Sequence, residues 1–181
     1  MSTTLDTTRL QLRKFTPDDL EQLVQLTSNP GFMRFSQSGP FRREQAAAML
    51  ERLLTAEREG KPSQFAVTLR DDPRVLGYCG FLVQTVDDAQ EVEIAYRLDP
   101  HYWGRGLASE AAQAVRDHAF RDLNLPRVIS LIVPDNLASR RVAEKNGMTI
   151  EKETDFRGFH ALVYSITRQE WEQLRAPHAG A

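Results

Sequence analysis

The sequence predicts an α+β fold of the α/β/α type, in which a mixed and mostly antiparallel central sheet has helices on both faces. Three successive strand-like segments, 64–69, 75–85 and 90–98, are joined by short Asp-containing turns, which predicts an antiparallel meander. A helical pattern from Ala108 to about Asn124 then leads to an apolar, β-branched segment at 127–133. This order is typical of a crossover between parallel strands.

The segments on either side of this region extend the sheet and supply the remaining helices. Alternating or apolar runs predict strands, and capping residues mark the helix starts. These elements are a strand at 9–15, a helix starting at Thr16 and Pro17, a helix at 42–58, a short helix that Asp135 or Asn136 caps and Gly147 ends, hairpin strands at 148–155 and 160–167, and a final helical stretch at 168–174. The pattern amounts to about six to seven strands and about four helices, with the stretch at 168–174 as a last helical turn or two.

Length and composition fit one globular domain over 1–181, with a core at about 8–171. The formal net charge of −2 predicts no nucleic-acid partner, and the apolar runs are too short to span a membrane. The start of the chain lacks a signal-peptide pattern, and the single cysteine, Cys79, fits a reducing compartment as a buried, inert thiol. We therefore expect a cytoplasmic protein. The histidines and acidic residues show no metal-ligand spacing.

The stretch at 98–110 joins the third meander strand to the crossover helix through Gly104-Arg105-Gly106. Glycines at a helix start let the backbone approach a ligand, and the first N–H groups of a helix attract anions. A plain helix cap is the alternative interpretation. The stretch is not a Walker A loop, and a dinucleotide fingerprint would need glycine where Ser109 stands.

Four runs occur in a fixed order along the chain: T-T-R-L-Q-L-R-K-F-T-P-D-D-L at 7–20, Y-R-L-D-P-H-Y-W-G-R-G-L-A-S-E-A at 96–111, P-D-N-L-A-S-R-R-V-A-E-K-N-G-M at 134–148 and Y-S-I-T-R-Q-E-W at 164–171. Together they resemble the GNAT superfamily of acyl-CoA-dependent N-acyltransferases, and within it the RimJ/RimL-type branch. The resemblance covers about Thr8 to Trp171. It implies the GNAT fold and acetyl transfer from acetyl-CoA to a primary amine by direct attack in a ternary complex, without a metal.

The resemblance also implies a coenzyme site. The superfamily motif Gln/Arg-x-x-Gly-x-Gly/Ala falls on 103–108, where Trp103 departs from the pattern. Backbone N–H groups from Gly104 to Ser109 are expected to hold the diphosphate, and the backbone of Leu98 is expected to bind the pantetheine arm and polarise the thioester. The implied coenzyme contacts are Tyr96, Arg97, Leu98, Trp103, Gly104, Arg105, Gly106, Leu107, Ala108, Ser109, Asn136 and Ser139.

Two residues are candidates for proton transfer. Ser139 matches a serine that, in the branch it resembles, is a candidate proton donor to the leaving thiolate, and Ala143 strengthens this role because it stands where many members have a tyrosine. A helix-surface serine without a role is the alternative. Glu93 shares one face of its strand with Glu91 and Arg97 and is the candidate general base. The alternative for Glu93 is an ion pair with Arg97 or a neighbour on an exposed face.

The acceptor pocket is expected between the loop 32–41 and the hairpin 155–160, with Phe32, Phe35 and His160 as substrate contacts. A protein N-terminus, an aminoglycoside, a polyamine and an amino acid all remain open as acceptors. So do the monomeric and homodimeric states. The alternative function is an acyl-CoA-binding regulatory module without activity, suggested by Ala143 and by the lack of an acidic residue near His160.

Overall fold

The computed structural model describes residues 4–175, in which one eight-stranded sheet is combined with five α-helices. The strands are β1 (Leu5–Asp6), β2 (Leu10–Arg13), β3 (Gln64–Leu69), β4 (Asp72–Val86), β5 (Ala89–Leu98), β6 (Arg127–Ile132), β7 (Thr149–Phe156) and β8 (Phe159–Thr167). The helices are α1 (Leu20–Ser28), α2 (Arg43–Arg58), α3 (Leu107–Arg121), α4 (Leu137–Lys145) and α5 (Arg168–Arg175). The expectation that the chain starts without a signal-peptide pattern rests partly on residues 1–3, which lie outside the described residues. The tail 176–181 of the predicted domain also lies outside them.

The strand order is β1-β2-β3-β4-β5-β6-β8-β7, and every neighbouring pair is antiparallel except β5 and β6. Helix α3 connects these two parallel strands, as the crossover pattern predicts. The predicted fold class is therefore confirmed. The sheet has one strand more than expected because β1 is only two residues long, which is too short to show an alternating pattern.

Helices cover both faces of the sheet, as strand β3 demonstrates. Phe65 and Val67 pack in a cluster with residues of α3, whereas Ala66 between them packs in a second cluster with residues of α1 and α2. Successive side chains of a strand point to opposite faces, so the two clusters lie on opposite sides of the sheet. Cys79 is fully buried in the α3 cluster, and this burial raises the pKa of its thiol.

Two further observations concern the described part of the chain. None of its helices combines the length and the apolar character that crossing a bilayer requires. Within the same residues, no three or more His, Cys, Asp or Glu side chains converge in a group that could hold a metal ion.

Candidate active site

The parallel strands β5 and β6 separate soon after they meet. In the described chain their register contains one residue pair, Glu93 with Ile129. Beyond it, side chains replace the usual strand-to-strand hydrogen bonds: the Ser130 hydroxyl donates to the Ile94 carbonyl at 2.8 Å, and the Leu131 N–H donates to Glu93 Oε1 at 3.3 Å. The sheet therefore opens into a fork between the two strands.

A cleft of about 670 Å³ lies at this fork, between the end of β5, the start of α3, helix α4 and the segment 31–35. Most of the predicted site residues line it: Phe32, Phe35, Glu93, Tyr96, Arg97, Leu98, Trp103, Gly104, Gly106, Leu107, Ala108, Ser109, Asn136 and Ser139. Residues from distant parts of the chain thus meet in one space.

Some of the backbone N–H and C=O groups of β5 point towards this cleft. Asp99 donates its N–H to the Leu76 carbonyl of β4 at 2.8 Å. In an antiparallel pair, successive residues point their backbone groups alternately towards and away from the partner strand. The backbone groups of Leu98 and Tyr96 therefore point away from β4 and towards the fork. Gly77 lies opposite Leu98, and a Cβ there would be 2.0 Å from the Arg97 carbonyl oxygen, so only glycine permits this close pairing.

Trp103, which departs from the superfamily motif, is bonded to the end of β5. Its indole Nε1–H donates to the Leu98 carbonyl at 2.7 Å, while the residue remains 48% exposed at the edge of the cleft. The indole N–H thus supplies the hydrogen-bond donor for the Leu98 carbonyl, which points away from β4. The Leu98 N–H remains as the donor that faces the fork.

The glycine turn places an uncapped helix start at the cleft. Gly104 and Gly106 have φ angles of +73° and +77°, a region that residues with a Cβ avoid. Gly106 is the N-cap of α3 and provides no side-chain hydrogen bond to the first turn. The N–H groups of Leu107, Ala108 and Ser109 are therefore available to an anion at a positive helix end.

The turn is held from outside by Arg9, which lies between β1 and β2. Arg9 Nη1 donates to the Arg105 carbonyl at 2.9 Å, and its guanidinium pairs with Glu110 of α3 at 2.6 Å. The Arg105 side chain lies over the ring of Tyr102, 5.3 Å from its centre. Arg105 was predicted as a coenzyme contact; in this arrangement its carbonyl is bound to Arg9 and its side chain stacks beside the turn.

The first turn of α4 brings Ser139 to the cleft. Asn136 caps the helix, since its Oδ1 accepts the Ser139 N–H at 3.2 Å. The hydroxyl of Tyr96 donates to the Ser139 carbonyl at 2.7 Å. Burial raises the pKa of Tyr96, so this hydroxyl remains a proton-bearing donor. These two bonds fix the backbone that carries the Ser139 hydroxyl.

Glu93 is a buried carboxylate at the base of the fork, with an exposed fraction of 7%. Its Oε2 accepts from Gln84 Nε2 at 2.8 Å, and Gln84 Oε1 in turn accepts from Arg157 Nη2 at 3.1 Å. Burial raises the pKa of Glu93, and the bonds from Gln84 and Leu131 and the charge of Arg157 act in the opposite direction. The alternative of an exposed ion pair with Arg97 is wrong, because Glu93 is buried and bonded to other residues.

His160 lies apart from these residues. Its half-exposed ring has Nε2 at 3.0 Å from Glu153 and Nδ1 at 3.7 Å from Asp155, both on β7. The neighbouring Phe159 lines the cleft instead, as expected when successive side chains point to opposite faces. The sequence-based expectation that no acidic residue lies near His160 is wrong, because the two-residue turn of this hairpin places Asp155 directly opposite His160.

Several residues in or beside the cleft were missed by the sequence analysis. Arg34, Arg141 and Lys145 line it, while Gln84 and Arg157 support Glu93 from outside. Arg141 and Lys145 are four residues apart on α4, a spacing that places two cations on one helix face and could have been recognised. The other contacts join distant segments and leave no local pattern.

Comparisons with known proteins agree with this architecture. The family described as the acetyltransferase (GNAT) domain matches residues 9–149. A protein of Bacillus licheniformis, named as the uncharacterized N-acetyltransferase p20, is 32% identical over 93% of this chain and 98% of its own length.

Solved structures are similar over nearly the whole fold. A GNAT-family acetyltransferase from Bacillus anthracis has a TM-score of 0.78 at 27% identity, over 92% of this chain and 99% of that one. RimL, a ribosomal L7/L12 α-N-protein acetyltransferase solved in complex with coenzyme A, has a TM-score of 0.75 at 21% identity, over 91% and 98% of the two chains. The cleft described above and these matches together place this chain in the GNAT acetyltransferase family.

Proposed function

We propose that this enzyme transfers the acetyl group of acetyl-CoA to a primary amine by direct attack in a ternary complex. The observation that carries the proposal is the fork between β5 and β6, where an uncapped helix start, the Leu98 N–H and the buried Glu93 carboxylate surround one cleft. The helix start can bind an anionic acyl carrier, and the Leu98 N–H can polarise its thioester carbonyl. The Glu93 carboxylate can accept the proton of the attacking amine.

The coenzyme is proposed to enter with its diphosphate on the N–H groups between Gly104 and Ser109. Arg141 and Lys145, on the α4 side of the cleft, add positive charge for an anionic ligand. The pantetheine arm would then lie along Tyr96 and Leu98, whose backbone groups face the fork. The likeness of the fold to RimL, which was solved with coenzyme A, supports this arrangement.

The chemistry follows from the groups at the fork. The neutral amine attacks the thioester carbonyl carbon, and the Leu98 N–H stabilises the resulting oxyanion, a contribution worth about 3 kcal/mol in comparable sites. Glu93, directly or through water, accepts the proton that the amine loses. The C–S bond then breaks, and the Ser139 hydroxyl passes a proton to the thiolate of coenzyme A and regains one from water, while Glu93 returns its proton to water. The products are the N-acetylated acceptor and free coenzyme A.

The test of this proposal is release of free thiol from acetyl-CoA in the presence of amines. The purified chain would be incubated with acetyl-CoA and a panel of N-terminal peptides, amino acids, polyamines and aminoglycosides, and thiol release would be followed with time. Amine-dependent release is expected with at least one class of amine. Folded protein that binds coenzyme A and releases no thiol with any amine would contradict the proposal and favour a regulatory module.

Replacing Ser139 with Ala is expected to reduce kcat by about tenfold while the KM for acetyl-CoA changes little. The effect is modest because a thiol, with a reference pKa of about 8.5, is already a good leaving group. Steady-state thiol release measures both constants. Ser139→Thr is the matched control because it retains a hydroxyl and should keep most of the activity; equal rates for Ser139→Ala and the unchanged enzyme would remove Ser139 from the mechanism.

A further inference from the structure

The two faces of β5 present different chemistry to the cleft. Tyr96 points to the face of α4, where its hydroxyl reaches Ser139. Arg97, the next residue, points to the opposite face, where its Nη1 lies 2.9 Å from the sulfur of Met33 in the segment 31–35. Side chains alternate along a strand, so Arg97 shares its face with Glu93. With the coenzyme on the α3 and α4 side, the Arg97 side chain belongs to the acceptor side of the fork, and not to the coenzyme contacts among which the resemblance places it.

The guanidinium of Arg97 has more hydrogen-bonding capacity than its neighbours use. A thioether is a weak acceptor, and the other close neighbour is the ring of Phe32, whose centre is 5.9 Å from the guanidinium carbon. Within residues 4–175, no carboxylate lies within 4.0 Å of Arg97. By contrast, Arg9 beside the glycine turn is paired with Glu110. A half-buried guanidinium that lines a cleft and lacks an anionic partner can bind an anion there.

A second cation lies on the same side of the cleft. Arg34 lines it beside Phe35, with the guanidinium carbon 5.2 Å from the ring centre, and it has no ion-pair partner among the described residues. The carboxylate of Glu93, which lines the cleft on this face, is already bonded to Gln84 and Leu131. The acceptor side therefore presents two cations and the apolar rings of Phe32, Phe35 and Phe159.

We propose that the acceptor is a primary amine that carries an anionic oxygen group, a carboxylate above all, a few bonds from its nitrogen, together with an apolar side group. The proposal rests on the acetyl transfer proposed above and adds the substrate class. Arg97 directly precedes Leu98, the residue proposed to hold the thioester, so a carboxylate on Arg97 would lie near the attacked carbon. A free α-amino acid has this arrangement. Polyamines and aminoglycosides carry only positive charge, and Arg34 and Arg97 would repel them.

The first test compares matched amines that differ in the anionic group. Phenylalanine and leucine would be compared with phenylalaninol and leucinol, in which a neutral alcohol replaces the carboxylate, by amine-dependent thiol release. The carboxylate member of a pair is expected to have a kcat/KM at least about tenfold higher. Dipeptide amides that begin with Asp or Asn distinguish a side-chain carboxylate from that of a free amino acid, and a preference for Asp would assign the anion to an acidic N-terminal residue.

The second test changes the proposed anion-binding residue. Arg97→Gln is expected to raise the KM for the carboxylate-bearing amine about tenfold and to lower kcat/KM for the matched alcohol far less, with Arg97→Lys intermediate. Arg70→Gln, on an exposed arginine outside the cleft, is the control and should change neither value. A loss of activity by Arg97→Gln that is equal for both members of a pair would indicate a structural role and would contradict the proposal.

The outcomes separate this inference from the function on which it rests. Thiol release that favours the alcohols or spermidine over the carboxylates would overturn the substrate class and leave acetyl transfer in place. An absence of thiol release with every amine would overturn both. The comparison of matched amines uses the unchanged protein, so it remains decisive even where an Arg97 variant does not fold.

Discussion

Replacing Glu93 with Gln is expected to reduce kcat by about 100-fold or more near neutral pH, with little change in the KM for acetyl-CoA. The substitution retains the shape of the side chain and removes the group that accepts the proton of the amine. Steady-state thiol release measures the effect. Glu91→Gln is the matched control because Glu91 lies on the same strand face and pairs with Arg127 at 3.2 Å, away from the cleft residues. Activity of Glu93→Gln within about threefold of the unchanged enzyme would exclude Glu93 as the base.

The same variant should change the pH dependence of stability. Burial raises the pKa of Glu93 above its usual value, so the folded protein holds this proton more tightly than the unfolded chain does. The resulting stabilisation is complete below the unfolded pKa, about 4.3, and is lost as the pH rises through the higher folded pKa. Glu93→Gln lacks this loss, so its free energy of unfolding should decline less over that pH range. Denaturant unfolding of both proteins at several pH values measures the difference.

Replacing Gly106 with Val is expected to weaken coenzyme A binding by about tenfold or more. Gly106 has φ +77°, which costs a residue with a Cβ about 1–2 kcal/mol and a β-branched residue more. A Cβ there would lie at an ordinary van der Waals distance, 3.5 Å, from Arg9 Nη2, so the cost of the substitution comes from the backbone strain. The N–H groups that face the diphosphate would move with the turn. Isothermal titration calorimetry with coenzyme A measures the dissociation constant.

Gly60→Val controls for backbone strain at another site. Gly60 has φ +65°, and nothing lies within 4 Å of its expected Cβ, so the variant carries similar strain outside the cleft. It should lower the melting temperature without weakening coenzyme A binding. An unchanged dissociation constant for Gly106→Val would contradict the assignment of the diphosphate to this turn.

Local sequence patterns predicted the bounds of an element well where the residues that determine those bounds lie within one segment. Strand β3 has the predicted bounds, 64–69, because Gly and Pro residues and charged turns delimit its apolar run. Strand β4 begins at Asp72, earlier than predicted, because Asp72 pairs with Leu69 and only Arg70 and Asp71 form the turn. An Asp-Asp-Pro run is typical of a turn over its whole length. The sequence does not show at which of its residues the pairing with the neighbouring strand begins.

The candidate site also has one part that a local motif predicts and other parts that depend on residues distant in sequence. The glycine turn at 104–109 is one contiguous motif, so its place at a helix start could be predicted. The connection of Glu93 through Gln84 to Arg157 joins residues 9 and 73 positions apart in sequence, and it depends on the approach of the β7–β8 hairpin to β4. The face on which Arg97 lies followed from strand alternation. That Arg97 has no anionic partner among residues 4–175 could be seen only from the side chains packed around it.

A crystal structure of this chain with coenzyme A tests the central claim most directly. We predict the diphosphate within hydrogen-bonding distance of the N–H groups of Leu107, Ala108 and Ser109, and the pantetheine arm between β5 and β6 beside Leu98. A complex in which the coenzyme lies outside this fork, or in which its diphosphate is held by another part of the protein, would contradict the account.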